Sequence, residues 1–86
     1  MYHCVVIKDL MKQWKDEARI KSIILYHMKR ERNEFDDSDY VLEIYTNRPG
    51  PMIGMAGKLI DKYRDLISNK IKHRVFIKMV ETTEIV

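Results

Sequence analysis

The sequence predicts an α+β fold, a two-layer sandwich in which helices cover one face of a three-stranded mixed sheet. Two observations lead there. Apolar residues recur with a helical period near the start of the chain and again over residues 58–70, but they alternate with a period of two over 22–31, 40–46 and 74–81. The resulting order is helix, strand, strand, short turn of helix, helix, strand. A helical crossover then separates the second strand from the third, and a connection of that kind makes the two parallel.

The first helix is expected over residues 5–17. Ile7, Leu10, Met11, Trp14 and Ala18 fall on one stripe, with Lys8, Asp9, Lys12, Lys15 and Asp16 outside it. Trp14 lies on that stripe and so reads as a core residue. From 22 to 31, Ile24, Tyr26 and Met28 alternate with Leu25, His27 and Lys29, which marks a strand. Residues 33–39 form a polar, acidic turn. Residues 40–46 then alternate again, with Leu42 and Ile44 on one face and Glu43 and Tyr45 on the other. The pair makes an antiparallel hairpin across a seven-residue loop. Its acidic tip lacks the glycine and distal glutamate of a calcium-binding EF-hand and reads as a solvated turn.

Leu59, Ile60, Tyr63, Leu66, Ile67 and Ile71 give the later helix its apolar face. Asp61 and Asp65 share the opposite surface with Lys58 and Lys62, the spacing of surface ion pairs. In the last strand Val75, Ile77 and Met79 alternate with Phe76, Lys78 and Val80. Alternation alone leaves open which of these faces meets the helices.

The chain has 86 residues, enough for one domain, expected over 1–86 with its core in 7–81. A domain this small buries only about 60% of the surface its unfolded chain exposes. An enclosed active site would compete with that modest core, whereas an open groove would not. No apolar run approaches the roughly 20 residues of a membrane span. The N-terminal Met1-Tyr2-His3-Cys4 has no basic segment leading into an apolar one, so no secretory signal is expected. A single cysteine forms no internal disulfide, which fits a cytoplasmic location. Charge is uneven along the chain. Residues 1–46 carry eight Lys/Arg against nine Asp/Glu, and residues 47–86 carry eight against four. A basic second half suits a polyanionic partner.

All three glycines, Gly50, Gly54 and Gly57, lie within eight residues. Glycine is favoured where the backbone takes positive φ or where another group comes close. Gly54 and Gly57 bracket Met55-Ala56 and open directly into a helix, so free loop amides and the positive helix end share one side, a site suited to phosphate.

The surrounding residues extend this pattern. Thr46, Arg48, Pro49, Gly50, Ile53, Gly54, Gly57, Ile60, Lys62 and Arg64 stand in a spacing that resembles the core of a KH domain. Leu42-Glu43-Ile44 before it and Val75-Phe76-Ile77-Lys78 after it are similar to the flanking strands of that family. The likeness is strongest to the KH domain of the small-ribosomal-subunit protein that lines the path of the incoming messenger. The leading helix and hairpin resemble the prokaryotic, type II order α-β-β-α-α-β.

This resemblance implies a module that binds single-stranded RNA and is not an enzyme. Its G-x-x-G loop would hold the backbone of about four nucleotides while bases lie against an apolar groove. By position, Gly54, Met55, Ala56 and Gly57 would form the clamp, and Ile53 and Ile60 the nearby wall. Arg48 and Lys58 would meet phosphates. Phe76 and Lys78 would present the other wall, and Lys62 joins the same candidate set. The implied setting is a ribosome or another RNA–protein assembly. The loop departs from the family in one respect: Met55-Ala56 replaces the usual Lys or Arg. Two alternatives follow, a KH scaffold that docks a protein instead, or a single-stranded DNA binder.

No cofactor is expected. Met1-Tyr2-His3 has the spacing of an N-terminal copper or nickel site, but the pattern recurs by chance. His27, His73 and Cys4 have no metal-ligand spacing. Neither a Ser-His-Asp set nor a Walker-type phosphate loop is present.

Overall fold

A computed structural model of the chain describes residues 2–21, 24–35 and 37–83, with backbone alone at 2–4 and 33. The N-terminal metal spacing, the Cys4 side chain, Ser22, Ile23 and Asp36 therefore lie outside the described residues.

The first helix, α1, spans Tyr2–Glu17 and begins three residues before the expected start. Its stripe is buried as the periodicity requires: Ile7, Leu10, Met11 and Trp14 are all in the core. It ends in a left-handed residue, Arg19 (φ 59°), with the Ile20 amide on the Lys15 carbonyl at 3.2 Å and the Arg19 amide on the Asp16 carbonyl at 3.1 Å. This closing pattern satisfies carbonyls that the last helical turn leaves free.

Strands β1 (Leu25–Asn33) and β2 (Ser38–Thr46) form the antiparallel hairpin. The expected seven-residue loop is shorter in fact. Each strand gains two residues at the tip, leaving only residues 34–37 between them. The ladder extends because Asn33 pairs with Ser38, across a register shift after Arg30. Arg32 reaches Asp37 (3.5 Å) and Asp39 (3.2 Å), so a cation offsets part of the acidic tip.

After β2 come a short helix α2 (Pro49–Ile53), a 3₁₀ turn (Met55–Gly57), helix α3 (Lys58–Ile71) and strand β3 (Val75–Glu81). β3 lies parallel to β2, and the sheet order is β1-β2-β3. The architecture is an α+β two-layer sandwich with a mixed sheet. Leu42, Ile44, Val75 and Ile77 face the helices and share one core with Trp14, Met52, Tyr63, Ile67 and Ile71. That settles the strand alternation: Phe76 and Lys78 lie on the exposed side. Among the described residues no helix is long and apolar enough to cross a membrane.

Candidate functional site

Thr46, fully buried, ends β2 and accepts the Arg48 amide on Oγ1 at 3.1 Å. Pro49 then opens α2, where a missing N–H costs nothing because the first helical amides have no partner within the helix. Pro51 falls in the same first turn. Gly54 stops the helix. Its φ of 78° and ψ of 175° lie in a region essentially reserved for glycine. A Cβ built there would lie 2.7 Å from the Leu59 Cβ and 3.0 Å from the Leu59 amide nitrogen. Gly57 is left-handed (φ 74°) but has room, its nearest neighbour being the Ile60 side chain at 3.9 Å from a built Cβ. Ala56 between them is also left-handed, with φ 55° and ψ 27°. Gly50 lies within α2 with open space around it, and of the three clustered glycines only Gly54 and Gly57 take positive φ.

The turn consumes several of its own donors. The Gly54 amide bonds the Gly50 carbonyl (2.9 Å), the Gly57 amide the Gly54 carbonyl (3.2 Å), and the Lys58 amide the Met55 carbonyl. The expected row of free loop amides thus narrows to two. The Met55 and Ala56 N–H groups have no acceptor among the described residues, and both residues are exposed, Met55 by 84%. Successive amides around a left-handed residue form a concave anion cradle.

The other expected residues divide into two groups. Arg48 and Lys58 are exposed on either side of the turn, and neither has an ion-pair partner among the described residues. Ile53 and Ile60 are half-buried, and Ile60 packs on the core. Lys62 and Lys78 are engaged elsewhere. Lys62 pairs with Glu17 of α1 at 2.9 Å, and Lys78 lies 4.0 Å from Glu43, which Lys29 also approaches. The expected pairing of Lys58 and Lys62 with Asp61 and Asp65 does not occur. Arg64 takes both carboxylates instead, that of Asp61 one turn earlier at 3.2 Å and that of its chain neighbour Asp65 at 3.8 Å.

A groove of about 420 Å³ runs between α3 and β3. Ile60 lies at the loop end, followed along α3 by Arg64, Asp65 and Ser68, and faced by Arg74, Val75, Phe76 and Ile77. Its lining includes Ile60 and Phe76 but not Lys78, and Phe76 also lines, with Lys78, a depression on the sheet face turned away from the helices. Arg64, Ser68 and Arg74 are additions. Ile60, Arg64 and Ser68 recur every fourth residue on one stripe of α3, a signal masked in the sequence by the stronger apolar stripe beside it.

Helix α1 braces both sides of the turn. The Trp14 indole N–H donates to the buried Met52 carbonyl at 2.8 Å, two residues before Gly54. The same indole stacks on Tyr63 of α3, with ring centroids 5.2 Å apart and planes 2° from parallel. The Tyr63 hydroxyl donates to Glu17 at 2.7 Å. Burial, then that hydrogen bond and the Glu17 charge, push the Tyr63 hydroxyl up to about 12. Hydrogen bonds from Lys62 and Tyr63, with the Lys62 charge, hold the Glu17 carboxyl below its usual value.

Among the described residues, no three His, Cys, Asp or Glu side chains converge as a metal site would need. The chain matches no family model, no curated protein and no solved structure.

Proposed function

We propose that this chain is a KH-like module that binds single-stranded RNA, holding the backbone at residues 54–57 and laying bases into the groove beside α3. One observation carries the reading. The amides of two exposed residues, Met55 and Ala56, have no acceptor among the described residues and lie in a glycine-bracketed turn flanked by Arg48 and Lys58, which have no ion-pair partner among those residues, and the turn abuts Ile60 at the groove mouth. Backbone amides and flanking cations suit a phosphodiester, and apolar Ile60 and Phe76 suit base faces. With a neutral Met55-Ala56 pair, affinity depends on those amides and on Arg48 and Lys58. If about three phosphates are contacted, log affinity falls against log salt with a slope of roughly −2.

The double variant Met55→Asp/Ala56→Asp tests the loop. Aspartate tolerates the left-handed conformation of residue 56, so the fold survives while two carboxylates repel phosphate. Fluorescence anisotropy with a short RNA should show binding abolished and thermal melting retained. Undiminished affinity removes the loop from the mechanism. A matched DNA oligonucleotide in the same assay separates RNA from DNA preference.

A further inference from the structure

We infer that the bound strand continues along the groove to a second phosphate site at its far end, formed by Lys72 and Arg74 in the turn between α3 and β3. The inference rests on the reading of the loop as an RNA clamp.

The groove does not stop at Ser68. A shallower depression of about 390 Å³, lined by Ser68, Asn69, Lys72, His73 and Arg74, shares Ser68 and Arg74 with it, so the two form one continuous surface. Charge along this surface is sorted. In the middle, Arg64 is compensated by Asp61 and Asp65, beside apolar Ile60 and Phe76. At the far end Lys72 and Arg74 are exposed and have no carboxylate partner among the described residues. Between them His73 turns to Asp39 (3.7 Å) and to the Tyr40 ring. The path is therefore cationic at the loop, near neutral and apolar along α3, and cationic again at the exit. That order matches a strand held by phosphates at both ends with bases between. Fourteen residues of α3 separate the ends, about 21 Å at 1.5 Å per residue, so a strand reaches both only by lying along the groove.

Lysines near a helix C-terminus also complement the helix dipole, and the variant is chosen to keep that role apart from binding. Lys72 is left-handed (φ 64°), with its own amide and that of His73 on the Ser68 carbonyl. Glycine suits this position at least as well as lysine, so Lys72→Gly/Arg74→Gln removes two charges and preserves the cap. The experiment measures affinity against salt for an RNA tetramer and an octamer of mixed sequence. In the unaltered protein the octamer slope should be steeper by about 1.4, the contribution of two further phosphates. In the variant that excess should vanish, with octamer affinity reduced several-fold and the tetramer unaffected. Equal slopes for both lengths in the unaltered protein, or an excess that persists in the variant, overturn the second site. Failure of either oligonucleotide to bind overturns the loop reading itself. Slope, unlike affinity alone, is insensitive to the extra registers a longer strand offers.

Discussion

Gly54 and Gly57 look equivalent in the sequence but do different work. Both take positive φ, so each is favoured by the absence of a side chain. Only Gly54 is also pressed against another part of the chain, since a Cβ would meet the Leu59 backbone and Cβ. Gly57→Ala should cost about 1–2 kcal/mol, the ordinary penalty of a left-handed alanine. Gly54→Ala should cost more, because α3 must also shift, and it should weaken RNA binding. Urea denaturation of both variants checks the order, and equal costs would contradict it. The glycine spacing was legible from the start because positive φ is a local requirement. The inequality between the two was not, because it depends on where Leu59 lands. Lys62 illustrates the same limit. Its helical spacing suggested Asp61 or Asp65 as company, but Glu17, 45 residues away, takes it.

At the scale of elements, the turn owes its position to α1. The periodicity placed Trp14 in the core, and it is fully buried. That its N–H would find the Met52 carbonyl, 38 residues distant, had no sequence signal. This bond fixes the end of α2, and the stacked Tyr63 fixes the first turns of α3, so one side chain braces both arms of the loop. Trp14→Phe keeps an aromatic ring but leaves a buried carbonyl without its donor, at a cost of about 1–3 kcal/mol. The melting temperature should fall, by roughly 4–8 °C for each kcal/mol in a domain of this size. Amide exchange at Gly54, Gly57 and Lys58, which the turn's own hydrogen bonds protect, should also quicken beyond what global destabilisation explains. Exchange that changes uniformly over the chain would make Trp14 a core residue and nothing more. Strand limits were the least legible features, because the hairpin tip, polar apart from an exposed Phe35, has no alternation to follow and only cross-strand pairing shows where the ladder stops.

The whole molecule divides its labour by layer and by charge. One sheet face and the inner faces of α1 and α3 make the core, and the crossover from β2 to β3 brings the turn and the start of α3 beside a sheet edge. The α+β order and the parallel β2–β3 pair were readable because period and crossover length are global constraints a short chain can hardly escape. The groove was readable only in part. Ile60 and Phe76 were named from their positions in a motif, whereas Arg64 and Arg74 join it through the packing of α3 on β3. The basic second half gains meaning here. With Lys62, Lys78 and Arg64 held by carboxylates, Arg48, Lys58, Lys72 and Arg74 flank the groove path without such partners among the described residues.

The most direct test is a titration of the ¹⁵N-labelled chain with short single-stranded RNA, following backbone amides one by one. The largest shifts should fall on Met55 and Ala56, with smaller ones at Lys58 and Ile60 and along the groove to Arg64 and Ser68. Shifts confined to the hairpin or the open sheet face, with the two loop amides unmoved, would contradict the account.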